Sequence, residues 1–153
     1  MNNMKLEKDR SNQIDYFLSD RHRSDLELLL NGGYAPLSTF NNKRDYDSIL
    51  DNLTIGNGSI WPIPITLDIT SDFLNNNSIE VGSILALKEK EGFLNAELKI
   101  SEIWEIDKVR EAFSIYGTND MNHPGVNYLF NNTGDYYVAG DLKKIALPKY
   151  YDY

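Results

Sequence analysis

SDLELLLNGGYAPLSTF, residues 24–40, is written as a helix with a hard stop. Ser24 and Glu27 have the spacing of a capping box, in which each side chain satisfies an amide left open by the first turn, so the spacing predicts a helix starting there. Leu26, Leu29 and Leu30 recur at intervals of three and four and share one face, with Leu28 beside that stripe and Glu27 off it. Gly32 or Gly33 can turn left-handed and end the helix, and Pro36 keeps it from resuming.

Outward from this stretch the pattern alternates between short helices and strands. Upstream, residues 1–12 are polar and without period, which predicts a flexible lead-in, and Ile14 to Asp20 suits a short strand or packed turn. Downstream, Asn41 or Asn42 can cap a second helix whose apolar face holds Tyr46, Ile49, Leu50 and Leu53. After the turn signal Gly56-Asn57-Gly58-Ser59 the period changes to two, and Trp61, Ile63, Ile65, Leu67 and Ile69 alternate with Pro62, Pro64, Thr66 and Asp68. That predicts a half-buried strand, confined to an edge by its prolines. Asn75 to Ser78 reads as a loop. Val81 to Lys88 and Phe93 to Ile100 read as strands joined by a charged tip ending at Gly92, with a further partner through Ile103 and Trp104. Asp107 to Tyr116 reads as a helix with Ile106, Val109, Phe113 and Tyr116 on one side and Gly117 as its stop. Pro124 can open a short helix running to Phe130, and Tyr136 to Gly140 and Lys144 to Leu147 read as strands.

Turn-linked strands with short helices predict an α+β, mainly β fold: a mixed-sheet pseudo-barrel with short flanking helices, in one domain over residues 13–153. Leu26, Leu29, Leu30, Ile63, Ile65, Leu67, Leu85, Leu98 and Phe113 are its expected core.

Composition narrows the function. A formal charge of −8 predicts weak nucleic-acid binding, since nonspecific affinity rests on Lys and Arg displacing counterions. With no cysteine in the chain, disulfides, thiolate metal ligands and cysteine nucleophiles are excluded. No apolar run approaches the roughly 20 residues of a membrane span, and the first residues lack the apolar core of a signal peptide. A soluble, cytoplasmic protein without membrane contact is the expectation.

Four stretches also have familiar wording in a familiar order: DLELLLNGGYAPL (25–37), LTIGNGSIWPIPITLD (53–68), GTNDMNHPGVNYLF (117–130) and LPKYYDY (147–153). They resemble the region of the sulfate adenylyltransferase (ATP sulfurylase) family that precedes its catalytic domain and is described as PUA-like. The likeness runs from about Arg21 to the last residue, and departs at Ser38-Thr39, where the family has a glycine before the phenylalanine. It implies a PUA-like fold, and it implies that the catalytic domain is absent from this chain. In the family, transfer of an adenylyl group from ATP to sulfate is served by a Gln-x-Arg-Asn-Pro-x-His segment of the next domain. Here the only glutamine is Gln13, followed by Ile14, and the only histidines are His22 and His123. No Walker-type loop and no carboxylate cluster with metal-ligand spacing is present, so no catalytic residue, metal or cofactor is expected; ATP and sulfate would be substrates of the full enzyme.

The remaining candidates concern binding. His123 beside a helix start could contact a phosphate, but a capping or turn-fixing role is preferred. Arg21, His22 and Arg23 form the one basic cluster, and Asp20 and Asp25 are expected to neutralise it as solvated pairs. Trp61 and Trp104 could stack on a base but suit a core better. The best matches to the family are glycine-bearing turns, so Arg21, Arg23, Asp25, Gly32, Gly33, His123, Pro124 and Gly125 are expected to form a docking or anion surface for a sulfurylase catalytic domain, in cis or in trans. The chain then reads as a noncatalytic scaffold of sulfate assimilation; a freestanding nucleotide- or RNA-binding module and a small complete enzyme are the alternatives.

Overall fold

A computed structural model describes residues 13–145. The expected lead-in at 1–12 and the LPKYYDY ending lie outside the described residues. Five strands, β1 (Gln13–Phe17), β2 (Leu67–Ile69), β3 (Ile84–Lys88), β4 (Leu94–Glu105) and β5 (Tyr136–Lys144), are hydrogen-bonded in the order β1-β3-β4-β5-β2. Five helices accompany them: α1 (Asp20–Asn31), α2 (Lys43–Asn52), α3 (Ser71–Asn76), α4 (Lys108–Tyr116) and α5 (Pro124–Asn131). β1 runs parallel to β3, whereas β3–β4 and β2–β5 are antiparallel. This is the expected mixed sheet with short flanking helices.

The described residues divide into two compact units, each assembled from separate stretches: 13–40, 79–101 and 140–145 in the first, and 41–78 and 102–139 in the second. Because the chain passes repeatedly between them, neither is a contiguous sequence domain.

In the first unit, β1 pairs with β3 from Gln13↔Ile84 to Phe17↔Lys88, and β3 pairs with β4 through Leu85↔Leu98. Asn95 is the extra residue of a bulge, since Leu87 faces Ala96 while Lys88 faces Leu94. Tyr16, Leu18, Leu26, Leu29, Leu85, Leu87, Ala96 and Leu98 are buried. The helix starts earlier than its capping box suggests: Ser19 is the N-cap, accepting from the His22 amide, and Ser24 lies inside α1. Ser19 wins because β1 ends at Phe17 and the chain must turn at once; the Leu18 amide donates to Lys88 O and the next residue opens the helix. Leu26 and Leu29 are buried as expected, whereas Leu30 is only half-buried at the border of the stripe. Gly32 ends the helix at φ 85°, a conformation that costs other residues steric strain. Thr39, at the departure from the family wording, donates its hydroxyl to Gly140 O at 2.8 Å. At the charged tip, Glu89 is buried and pairs with Arg23 at 3.5 Å.

In the second unit, Asn42 caps α2 by accepting from the Asp45 amide. Tyr46, Ile49 and Leu50 are buried, but Leu53 is the left-handed C-cap at φ 57° and is exposed. Asn41, the other capping candidate, is buried: its Oδ1 accepts from Ile65 N at 2.6 Å, and its backbone N–H donates to Ile65 O. The expected strand from Trp61 shrinks to Leu67–Ile69, and Ile63 is 48% exposed, so it leaves the core. The reason is donor loss: Pro62 and Pro64 have no amide proton to give a ladder, and Asn41 supplies the tie at Ile65 instead. The expected loop at 75–78 is partly helical, because Thr70 caps α3. The expected break after Ile100 is absent, and β4 runs on through Ile103 and Trp104.

α4 has the expected start at Asp107 and stop at Gly117 but the opposite orientation. Glu111 and Ala112 are buried, while Val109 and Phe113 are exposed. Two clusters lie in this unit: Tyr46, Leu50, Ile106 and Tyr137 with Trp104 and Ile115, and Ala112, Val126 and Leu129 with Tyr116 and Phe130.

Candidate functional site

The expected surface residues fall into two groups in different units. Arg21, Arg23, Asp25, Gly32 and Gly33 belong to the first, His123, Pro124 and Gly125 to the second.

Around α1 the basic cluster does not act as one. Successive helical residues point about 100° apart, so Arg21, His22 and Arg23 take different neighbours. His22 is buried, with Nδ1 3.3 Å from the Tyr16 hydroxyl and the rings 5.9 Å apart. Arg23 turns to Glu89. Asp20, the expected neutraliser, lies 3.6 Å from Lys90 Nζ instead. Arg21 is exposed. Asp25 is buried and accepts from the Tyr34 hydroxyl at 2.9 Å, which ties the turn after α1 back onto the helix. Burial pushes the Asp25 carboxyl above the usual range, against the Tyr34 hydrogen bond and the charges of Arg21 and His22. Burial and the neighbouring carboxylate push the Tyr34 phenol up to about 12. Gly33 has an internal constraint: a Cβ there would stand 2.6 Å from Leu28 Cδ2 and 3.0 Å from Asn31 Oδ1, whose oxygen accepts from the Gly33 amide. A bulky residue at Gly33 therefore disturbs this turn as well as any surface it presents.

At the start of α5, His123 is the N-cap and Pro124 the first helical residue. The His123 Nδ1 accepts from the Gly125 amide at 3.1 Å, and its ring lies 4.9 Å from that of Tyr116. This is the preferred capping role. Gly125 is required by close approach, because a Cβ would lie 2.6 Å from Tyr116 Cζ.

One buried carboxylate of the second unit was not among the candidates. Glu111 Oε1 accepts from the hydroxyls of Tyr46 and Tyr137 at 2.5 and 2.9 Å. Half-buried Trp104 packs against both phenols, tilted to Tyr46 and edge-on to Tyr137 with centroids 5.7 and 5.8 Å away, a packing role rather than a base-stacking one. Burial and the Glu111 carboxylate drive both phenols well above their ordinary range. On the outer side of α4, Arg110 donates to Asp47 at 2.8 Å and to Asp51 at 3.1 Å, and Lys43 also donates to Asp47. Partial burial opposes ionisation of Asp47, but the hydrogen bonds from Lys43 and Arg110 hold it below the usual range. Two tyrosines spaced far apart in sequence gave no signal of a shared partner; the signal available was Glu111 at the centre of a helix with two apolar faces.

Among the described residues, no three His, Cys, Asp or Glu side chains gather in a metal-holding group, and no helix is long and apolar enough to cross a membrane.

Sulfate adenylyltransferase of Saccharomyces cerevisiae is 38% identical over 152 residues, covering 99% of this chain and 29% of its own length. That of Kluyveromyces lactis is 42% identical over 136 residues, 89% of this chain and 26% of its own length. That of Mycosarcoma maydis is 37% identical over 137 residues, 89% and 24%. The chain thus spans 24–29% of the length of these relatives. Among solved structures, a hexameric APS kinase from Thiobacillus denitrificans shares the fold, with a TM-score of 0.66 and 24% identity over 98% of this chain and 25% of that one. A family model described as PUA-like domain matches residues 2–147, and with the mixed sheet and short flanking helices in place, the chain belongs to the PUA-like domain family.

Proposed function

We propose that this chain is the noncatalytic PUA-like portion of a sulfate adenylyltransferase, a cytoplasmic scaffold of sulfate assimilation on which the catalytic portion docks. The observation that carries the reading is the identity of 37–42% to sulfate adenylyltransferases over 89–99% of this chain but only 24–29% of theirs. The chemistry agrees. Adenylyl transfer needs cationic and amide donors around the α-phosphate and the leaving pyrophosphate, and Arg23 and Arg110 are engaged with Glu89, Asp47 and Asp51. Arg21 and Gly32 in the first unit, and His123 and Pro124 in the second, are exposed.

Two measurements test the reading. The chain alone, given ATP and sulfate, releases no pyrophosphate. A chimera in which it replaces the matching segment of the S. cerevisiae relative releases pyrophosphate, and Arg21→Glu lowers that activity without unfolding the chain. Pyrophosphate release by the isolated chain, or an inactive chimera, refutes the proposal. RNA affinity near physiological salt is weak on the same reading; submicromolar binding of labelled RNA in that buffer favours a nucleic-acid module instead.

A further inference from the structure

The chain contains two Asn-Gly steps, Asn31-Gly32 and Asn57-Gly58. In such a step the asparagine side chain is open to attack by the backbone nitrogen that follows it, because glycine has no Cβ to keep that nitrogen away. Both steps are exposed. In both, the side-chain oxygen accepts from the N–H two residues on, Asn31 from Gly33 at 2.8 Å and Asn57 from Ser59 at 2.9 Å. A donor in that place steadies the negative charge that builds on the oxygen when the amide carbon is attacked.

The two steps differ in what holds the attacking nitrogen. The Gly58 N–H donates to Ile55 O at 2.8 Å, inside a turn that is also tied by Ile55 N to Ser59 O at 3.0 Å and by Gly56 N to Asp45 at 2.8 Å. Attack there must first break a good hydrogen bond. Asn31 is instead the last residue of α1, where helices fray and the final carbonyls lack helical partners. Leu28 O, the acceptor that a continuing helix would offer Gly32, takes the Tyr34 N–H at 3.1 Å, and among the described residues no hydrogen bond of this geometry holds Asn31 O or Gly32 N. The space beside Gly32 is open as well, since a Cβ there would meet nothing within 4 Å. The Asn31–Gly32 peptide is therefore free to rotate toward its own side chain.

We propose that Asn31-Gly32 is a self-modification site of this chain, at which the Gly32 nitrogen attacks Asn31 Cγ and the asparagine is converted to aspartate and isoaspartate. Hydroxide takes the Gly32 N–H proton, the bond from nitrogen to Cγ forms, and the bond from Cγ to Nδ2 breaks, Nδ2 leaving as ammonia with a proton from water. Water then opens the cyclic imide at one of its two carbonyls and breaks the C–N bond there. Overall, the side-chain amide and water give a carboxylic acid and ammonia, and nothing is oxidised or reduced. Opening on one side leaves an ordinary aspartate; opening on the other routes the main chain through Cγ and lengthens it. Either product places a negative charge at the C-terminal end of α1, where the helix dipole opposes it.

The test follows the intact chain over time in mildly alkaline buffer, folded and in urea. Peptides are mapped by mass spectrometry with the altered residue located by fragmentation, and isoaspartate is counted with a protein isoaspartate methyltransferase. In the folded chain residue 31 is modified at least about fivefold faster than residue 57, the scale of one net hydrogen bond. In urea, where the same dipeptide has lost its turn, the preference falls below about twofold. A smaller margin in the folded chain, or a larger one in urea, overturns the proposal.

Discussion

Glu111→Ala is the substitution whose cost follows most directly from the geometry. It removes the shared acceptor of the Tyr46 and Tyr137 hydroxyls without touching either ring. A hydrogen bond to a carboxylate contributes about 1.5–3 kcal/mol net, and a buried hydroxyl left unpaired costs about 1–3 kcal/mol. The two losses are not independent, because Tyr137 also shares a side-chain hydrogen bond with Thr66 and retains it. Tyr46 therefore carries the larger part, and the substitution should cost about 3–5 kcal/mol in all. For a chain of this size, where 1 kcal/mol moves the midpoint by about 2–4 °C, thermal unfolding shifts down by roughly 6–20 °C. Urea unfolding followed by circular dichroism measures the free energy. The decisive companion is the triple variant Glu111→Leu, Tyr46→Phe, Tyr137→Phe, which removes donors and acceptor together and should lie within about 1 kcal/mol of the parent, because matched removal of buried polar groups is nearly neutral. If Glu111→Ala costs less than about 1 kcal/mol, or the triple variant is no better than the single one, the carboxylate does not hold the phenols as described.

Leu26→Ala should cost about 2–5 kcal/mol in urea unfolding, as for a fully buried leucine, and Leu30→Ala distinctly less, since Leu30 is half-buried; equal costs would contradict the assigned helix face. The Tyr34 phenol, at about 12 in the folded chain against 10 unfolded, contributes stability that is fully present below pH 10 and is lost as pH rises from 10 through 12. Tyr34→Phe should accordingly lose less stability than the parent over that window in urea titrations at stepped pH. Gly125→Ala drives a methyl into the Tyr116 ring and should cost about 1–3 kcal/mol by thermal unfolding, and less in a Tyr116→Ala background, where the obstacle is gone.

The parts of the fold legible in the sequence are those set by local chemistry. Gly32 and Gly117 stop their helices, Asp107 and Asn42 cap theirs, and Pro124 opens α5, because caps and stops act within a few residues. What periodicity misassigned required a partner distant in sequence. Alternation from Trp61 to Ile69 could not reveal that Asn41, 24 residues before Ile65, takes the place of a ladder. The apolar spacing in α4 pointed to the face of Val109 and Phe113, but the orientation fell to Glu111, whose burial depends on tyrosines 65 residues before and 26 after it. The sequence likewise placed Arg21, His22 and Arg23 together, but a helix spreads three successive side chains around its axis, and each found a different neighbour.

That outcome bears on where the family-like wording of the turns comes from. Specific glycine-bearing turns suggest a surface that meets something, yet in this chain most of those residues answer to internal contacts. Gly33 leaves room for Leu28, and Gly125 for the Tyr116 ring; His123 caps the helix that Pro124 begins; Asp25 holds Tyr34. A sequence constrained by its own backbone needs no partner to explain it. Arg21→Glu in the chimera, set beside Gly125→Ala in the isolated chain, separates the two demands: the first should lower activity and leave stability unchanged, the second should lower stability.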